Sequence, residues 1–172
     1  KTGIFSSAEP SATGKVGNVF INIAEKFMSL KGVIGIASRN PLATSQDGVN
    51  QGVLAITAPE VNLHQASEIQ ASSKGSVAAA PIIIDSQLLI LTEKSSVTTV
   101  ANEGNGGAIS VNSGDFVFLQ DSLIETSVIG SMGDGGDINI NTPVLVMDTG
   151  FIQANTAATN ASGGDINLQV DH

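Results

Sequence analysis

The chain contains no cysteine, no tryptophan and no tyrosine, and only seven of its 172 residues are Lys or Arg. Without cysteine, disulfide staples, thiolate zinc sites and cysteine nucleophiles are excluded. Without Trp or Tyr, the usual exposed rings for stacking against sugars are missing. The formal charge of −9 argues against nucleic acid, because phosphate recognition needs clustered cations. It equally disfavours an anionic membrane surface. No apolar run is long enough to span a bilayer, and Lys1 to Pro10 carries no signal-peptide core.

What remains is rich in Val, Ile and Leu, with 19 glycines and a hydrophobic content of 41%. That content is too high for a disordered tail. β-Branched residues interspersed with Gly, Asn, Ser and Thr predict many short strands between tight turns.

A repeat organises the whole chain. Gly107 to Asn112 (GAISVN), Gly136 to Asn141 (GDININ) and Gly164 to Gln169 (GDINLQ) share one pattern, as do Gly52 to Thr57 and Gly17 to Asn22. Pro81 to Asp85 repeats it without the glycine. The period is about 28 residues, with one longer interval of roughly 35 between the first two copies, which is within the solenoid range. Each period holds three short alternating stretches, the mark of strands with one buried face. The second stretch reads Val61-x-Leu63, Leu89-x-Leu91 and Phe116-x-Phe118, with a one-residue slip at Leu145-x-Met147. The third reads Ile69-x-Ala71, Val97-x-Thr99, Ile124-x-Thr126 and Ile152-x-Ala154.

Three strands per period describe a triangular coil. The expected fold is therefore all-β: a right-handed parallel β-helix (β-solenoid) of about six three-strand coils of roughly 28 residues each. Two inward columns follow, Val19, Leu54, Ile82, Ile109, Ile138, Ile166 and Ile21, Ile56, Ile84, Val111, Ile140, Leu168. A bend column of Asn22, Thr57, Asp85, Asn112, Asn141 and Gln169 reads either as a side-chain ladder between coils or as plain solvated turns. By alternation Ile4, Phe20, Val33, Ile83, Leu123 and Phe151 face outward. The glycine clusters at 104–107, 133–136 and 163–164 are expected to supply positive φ at the coil-to-coil turns.

Residues 1–172 form a single solenoid segment. The opening Thr2 to Ser7 matches Thr149 to Ala154, so the chain is expected to start and stop inside coils and to be a piece of a longer array. The long first interval predicts a protruding loop over 35–51, and irregular loops on regular scaffolds carry binding residues. Its candidates are Arg39, Asn40, Gln46, Asp47 and Asn50, set against a merely tolerated insertion.

Catalytic constellations are not evident. The acids scatter, with a lone Glu125 in the outward column Gln70, Thr98, Glu125, Gln153, where glycoside hydrolysis needs two converging carboxylates. His64 and His172 stand alone. No catalytic residue is assigned and no enzyme activity is expected. Asp134, Asp137 and Asp165 lie in glycine-rich turns, and Gly-Gly-x-Gly-x-Asp repeats bind calcium in another solenoid class. Here Gly-Asp-Gly-Gly-Asp (133–137) occurs once, the equivalent turns carry Asn105 or Ser162, and the nine-residue period is lacking, which favours turn formation over calcium. No other cofactor is implied.

The runs 104–112 (GNGGAISVN) and 133–143 (GDGGDININTP) resemble the repeats of filamentous-haemagglutinin-like exoproteins. The resemblance covers nearly the whole chain but matches scaffold positions only. It implies a secreted protein at the cell surface, exported by two-partner secretion through an outer-membrane transporter. Such a segment is a structural or adhesive stalk, with a host or neighbouring-cell glycan or protein, or another copy of itself, as partner. The alternatives are a glycan- or protein-binding module acting through residues 39–50, and a β-helix carbohydrate-active enzyme.

Overall fold

The computed structural model describes residues 2–12, 15–44, 52–159 and 161–171. Among them there are fifteen β-strands and no helix. Every pairing between named strands is parallel, and each strand lies beside its own copy one period away, giving a β-solenoid of about six turns.

Each coil has three sides. The first side stacks β2 (Val19–Asn22), β5 (Leu54–Thr57), the first half of β8 (Ile82–Leu91), the first half of β10 (Ile109–Gln120), β12 (Ile138–Thr142) and β15 (Ile166–Val170). The second stacks β3 (Lys26–Leu30), β6 (Glu60–His64), the second halves of β8 and β10, and β13 (Val144–Asp148). The third is a separate sheet of β1 (Gly3–Ala8), β4 (Val33–Ser38), β7 (Glu68–Ser73), β9 (Ser96–Ala101), β11 (Leu123–Val128) and β14 (Phe151–Thr156).

The repeat's first stretch lies as its columns require. Val19, Leu54, Ile82, Ile109, Ile138 and Ile166 are successive partners, as are Ile21 through Leu168. Leu54, Ile82, Ile109 and Ile138 are fully buried. One coil cannot hide these side chains alone. Coils above and below do so, and stability accumulates along the stack.

The second side departs from the expected register. Val61, Leu89, Val117 and Leu145 are partners, as are Leu63, Leu91, Leu119 and Met147. Val117 and Leu119 are therefore the core residues, both fully buried, and Phe116 and Phe118 point outward. The cause is a β-bulge between Ser113 and Phe116, where Gly114 and Asp115 oppose the single residue Gln87. One extra residue reverses every side chain that follows it. Leu145-x-Met147, read as a slip, is in register.

A second correction concerns the opening strand. Gly3 aligns through Val33, Glu68, Ser96 and Leu123 with Phe151, so the match of Thr2–Ser7 to Thr149–Ala154 is one residue out. Ile4 then belongs to the inward column Ile34, Ile69, Val97, Ile124, Ile152 rather than facing outward. It is half exposed because β1 pairs on one side only. Phe5 is outward instead, its ring lying over Gly35, where a β-carbon would strike it. Val33 keeps its outward register but is buried.

The glycine turns work by close approach more than by φ. Only Gly52 and Gly133 have positive φ among the described glycines. A β-carbon on Gly136 would run into the Gly107 carbonyl of the coil below. Left-handed backbone is instead concentrated at the corner between the second and third sides. There Lys31, Gln65, Ala66, Glu93, Lys94, Asp121 and Thr149 adopt φ of 45 to 63°.

Candidate binding surfaces

Of the loop expected over 35–51, residues 35–44 are described, and they stay with the stack. Gly35 to Ser38 are part of β4. Beyond it, the Lys74 amide donates to the Ser38 carbonyl at 2.9 Å and the Ser76 amide to the Ala43 carbonyl at 2.9 Å. Thr44 forms a parallel bridge with Ser76. These backbone bonds continue the coil as far as Thr44, so residues 35–44 do not protrude.

Two of the five loop candidates are described. Arg39 reaches Glu9 with its Nη1 at 3.4 Å from Oε1, both side chains about half exposed. Asn40 is buried. Its Nδ2 donates to the Ala12 carbonyl at 2.9 Å and its Oδ1 accepts the Leu42 amide at 2.9 Å. An amide committed on both ends and hidden from solvent pins the turn and is not free to meet a ligand. Gln46, Asp47 and Asn50 lie outside the described residues.

Two of the three turn aspartates, Asp134 and Asp137, cap the next coil, and Asp165 is capped in turn. Asn105 Oδ1 accepts the Asp134 amide at 3.0 Å, and Asp134 Oδ1 accepts the Ser162 amide at 2.8 Å. Asp137 Oδ1 accepts the Asp165 amide at 2.9 Å. A side-chain oxygen in one coil thus satisfies a turn N–H in the next, alongside backbone bonds such as that from the Gly106 amide to the Asp134 carbonyl at 2.9 Å. Among the described residues no three His, Asp or Glu side chains gather as a metal cage.

The bend column forms a ladder at one rung, where Asn112 Nδ2 donates to Asp85 Oδ1 at 2.9 Å. Next to it, Asn167 Nδ2 donates to Asn139 Oδ1 at 3.0 Å. The bulge opens a groove of about 440 Å³ beside that rung, lined by Pro59, Asp85, Gln87, Asn112, Gly114 and Asn141. Ser113 holds the bulge shut from inside, its Oγ 2.7 Å from the Gln87 carbonyl and 2.9 Å from that of Phe116. The groove offers amides and one carboxylate, a set that can share hydrogen bonds with hydroxyl or amide groups.

Elsewhere the polar side chains also pair across coils. Glu125 Oε1 accepts from Gln153 Nε2 at 2.9 Å and Asn155 Nδ2 at 3.0 Å. His64 Nδ1 lies 2.6 Å from Thr92 Oγ1. His172 lies outside the described residues.

One surface escaped the sequence reading entirely. With the bulge in place, the outer side of the second face carries Leu88, Phe116 and Val144 in one column and Ile90, Phe118 and Val146 in the next. Its signal was present in three stacked apolar runs, Leu88 to Leu91, Phe116 to Leu119 and Val144 to Met147, in which no polar residue alternates. Comparison with family models, curated proteins and solved structures gives no match for this chain.

Proposed function

We propose that the chain is a structural and adhesive segment of a secreted bacterial surface protein, acting as a stiff β-solenoid spacer that presents or forms a contact surface. The observation that supports this is the unbroken in-register pairing of the first side from Val19 to Leu168. Parallel strands locked to their own copies through a dry aliphatic column resist bending and local opening, which a spacer requires. The acidic surface keeps such a rod soluble. Export through an outer-membrane transporter rests on the resemblance of the glycine-rich repeats, and a chain without cysteine suits passage in an unfolded state.

The binding-module reading retains Arg39 as its described anchor, since its guanidinium meets Glu9 at only 3.4 Å and stays half exposed. Limited proteolysis combined with adhesion assays tests the two. The spacer reading expects protease resistance throughout β5 to β14 and cell or matrix attachment that survives Arg39→Ala. Rapid cleavage within those strands would remove the spacer reading, and attachment abolished by Arg39→Ala would favour the loop.

A further inference from the structure

We propose that the outer side of the second face is a docking surface for a basic amphipathic α-helix of a partner protein, laid along the stack axis. The register, the charged border and the coil spacing carry this, so it stands independently of the spacer reading. Leu88, Ile90, Phe116, Phe118, Val144 and Val146 form a contiguous array two columns wide and three coils tall on the outside of β8, β10 and β13. Behind them Leu89, Leu91, Val117 and Leu119 are fully buried in the core. These strands are thus apolar on both faces, which is the pattern of parallel sheet covered on both sides. One coil earlier the same outer positions are polar, Glu60 and His64 partly exposed and Asn62 buried beside Glu60.

The rim selects the sign of the occupant. Glu60 adjoins Leu88 as its strand partner, Asp115 precedes Phe116, and Asp148 ends the strand that carries Val144 and Val146. Glu93 and Asp121 follow on the corner beyond β8 and β10. Lys26 pairs with Glu60 at 2.8 Å, which leaves four carboxylates on this border against Lys94. Two copies meeting through this face would oppose their acidic rims, and an anionic membrane would be repelled by them. A partner with apolar anchors between Lys or Arg flanks satisfies both the array and its border.

Spacing selects the helix. Successive coils are about 4.8 Å apart. A helix running along the stack presents one side chain per turn, at i, i+3 or i+4, and i+7, with an advance of about 5.4 Å per turn. One anchor can therefore meet each coil over the three coils of the array. An extended strand in the same direction repeats on one face at about 6.8 Å and loses step after one coil.

The test uses two fluorescent synthetic helices with the same leucine stripe, one flanked by Lys and one by Glu, titrated by anisotropy against the whole chain. The Lys probe is expected to bind at least about tenfold tighter than the Glu probe, and to weaken as salt rises. Phe118→Ser, which leaves the charge unchanged, should weaken the Lys probe by about tenfold or more, whereas Phe20→Ser on the first side should not. Asp115→Lys with Asp148→Lys should narrow the difference between the two probes without touching the array. Circular dichroism on each variant verifies the retained β-fold. Equal binding of both probes, binding indifferent to Phe118→Ser, or a Phe118-dependent dimer in sedimentation would overturn the proposal.

Discussion

Thr126 spans the corner of its coil and donates a hydrogen bond from Oγ1 to the carbonyl of Gly136 at 2.5 Å, in a position with no solvent exposure. Thr99, its partner one coil below, does the same to Gly107 at 2.6 Å. The column that holds them continues as Ala71 and Ala154 on either side. The hydroxyls tie the third side to the glycine turn where close backbones leave a buried carbonyl in need of a donor.

Replacing that donor by a methyl group leaves the carbonyl buried and unpaired. Thr126→Val is expected to cost about 1–3 kcal/mol although it preserves shape, and Thr126→Ser should recover most of the loss. Solenoids can open coil by coil, so amide hydrogen exchange at β11 and β12 is the appropriate readout alongside chemical denaturation. Unchanged protection in Thr126→Val would mean that the hydroxyl contributes nothing to the corner.

The coil architecture was legible because the first stretch carries a strict two-residue alternation after a glycine, and Ile109, Ile138 and Ile166 can only be in phase. The second face was not legible from alternation. Phe116 to Leu119 is apolar at every position, so either phase satisfies the hydrophobic pattern, and the deciding bulge at Gly114 and Asp115 is a backbone event. Asn40 shows the same limit at the candidate loop. Its residue type suits a ligand and a turn equally, and only the Ala12 carbonyl beside it decides for the turn.

The corner between the second and third sides holds L-residues in left-handed backbone, a conformation that costs them about 1–2 kcal/mol. Ala66, with φ of 56°, holds a partly exposed methyl group there. Ala66→Gly should therefore be neutral to stabilising, by up to about 1 kcal/mol, after glycine's greater entropy loss is counted. A measurable drop in the midpoint of urea denaturation would contradict that assignment.

Glu60 links the first two coils of the second side through Lys26 at 2.8 Å and also accepts from Asn62 at 2.8 Å. The Lys26 hydrogen bond, followed by that of Asn62, lowers its carboxyl below the ordinary 4.5. A carboxylate whose folded pKa is depressed stabilises the fold fully above its unfolded value, and that contribution disappears as pH falls through the folded value. The thermal midpoint should accordingly decline on the acid side of 4.5. Lys26→Met should reduce the part of this decline due to Glu60, a modest change for an exposed pair. Identical pH profiles for wild type and Lys26→Met would remove the linkage.

Leu119 and Phe118 are neighbours in sequence and opposites in the coil, one fully buried and one turned outward from the same strand. Leu119→Ala should open a cavity between Leu91 and Met147 and cost about 2–5 kcal/mol. Phe118→Ser should change stability by no more than about 1 kcal/mol, because it removes apolar surface that the isolated coil leaves partly in water. Denaturation of the two variants side by side decides the register of the second face. The reverse ranking would put both phenylalanines in the core, erase the outer apolar array, and withdraw the surface on which the helix is proposed to dock.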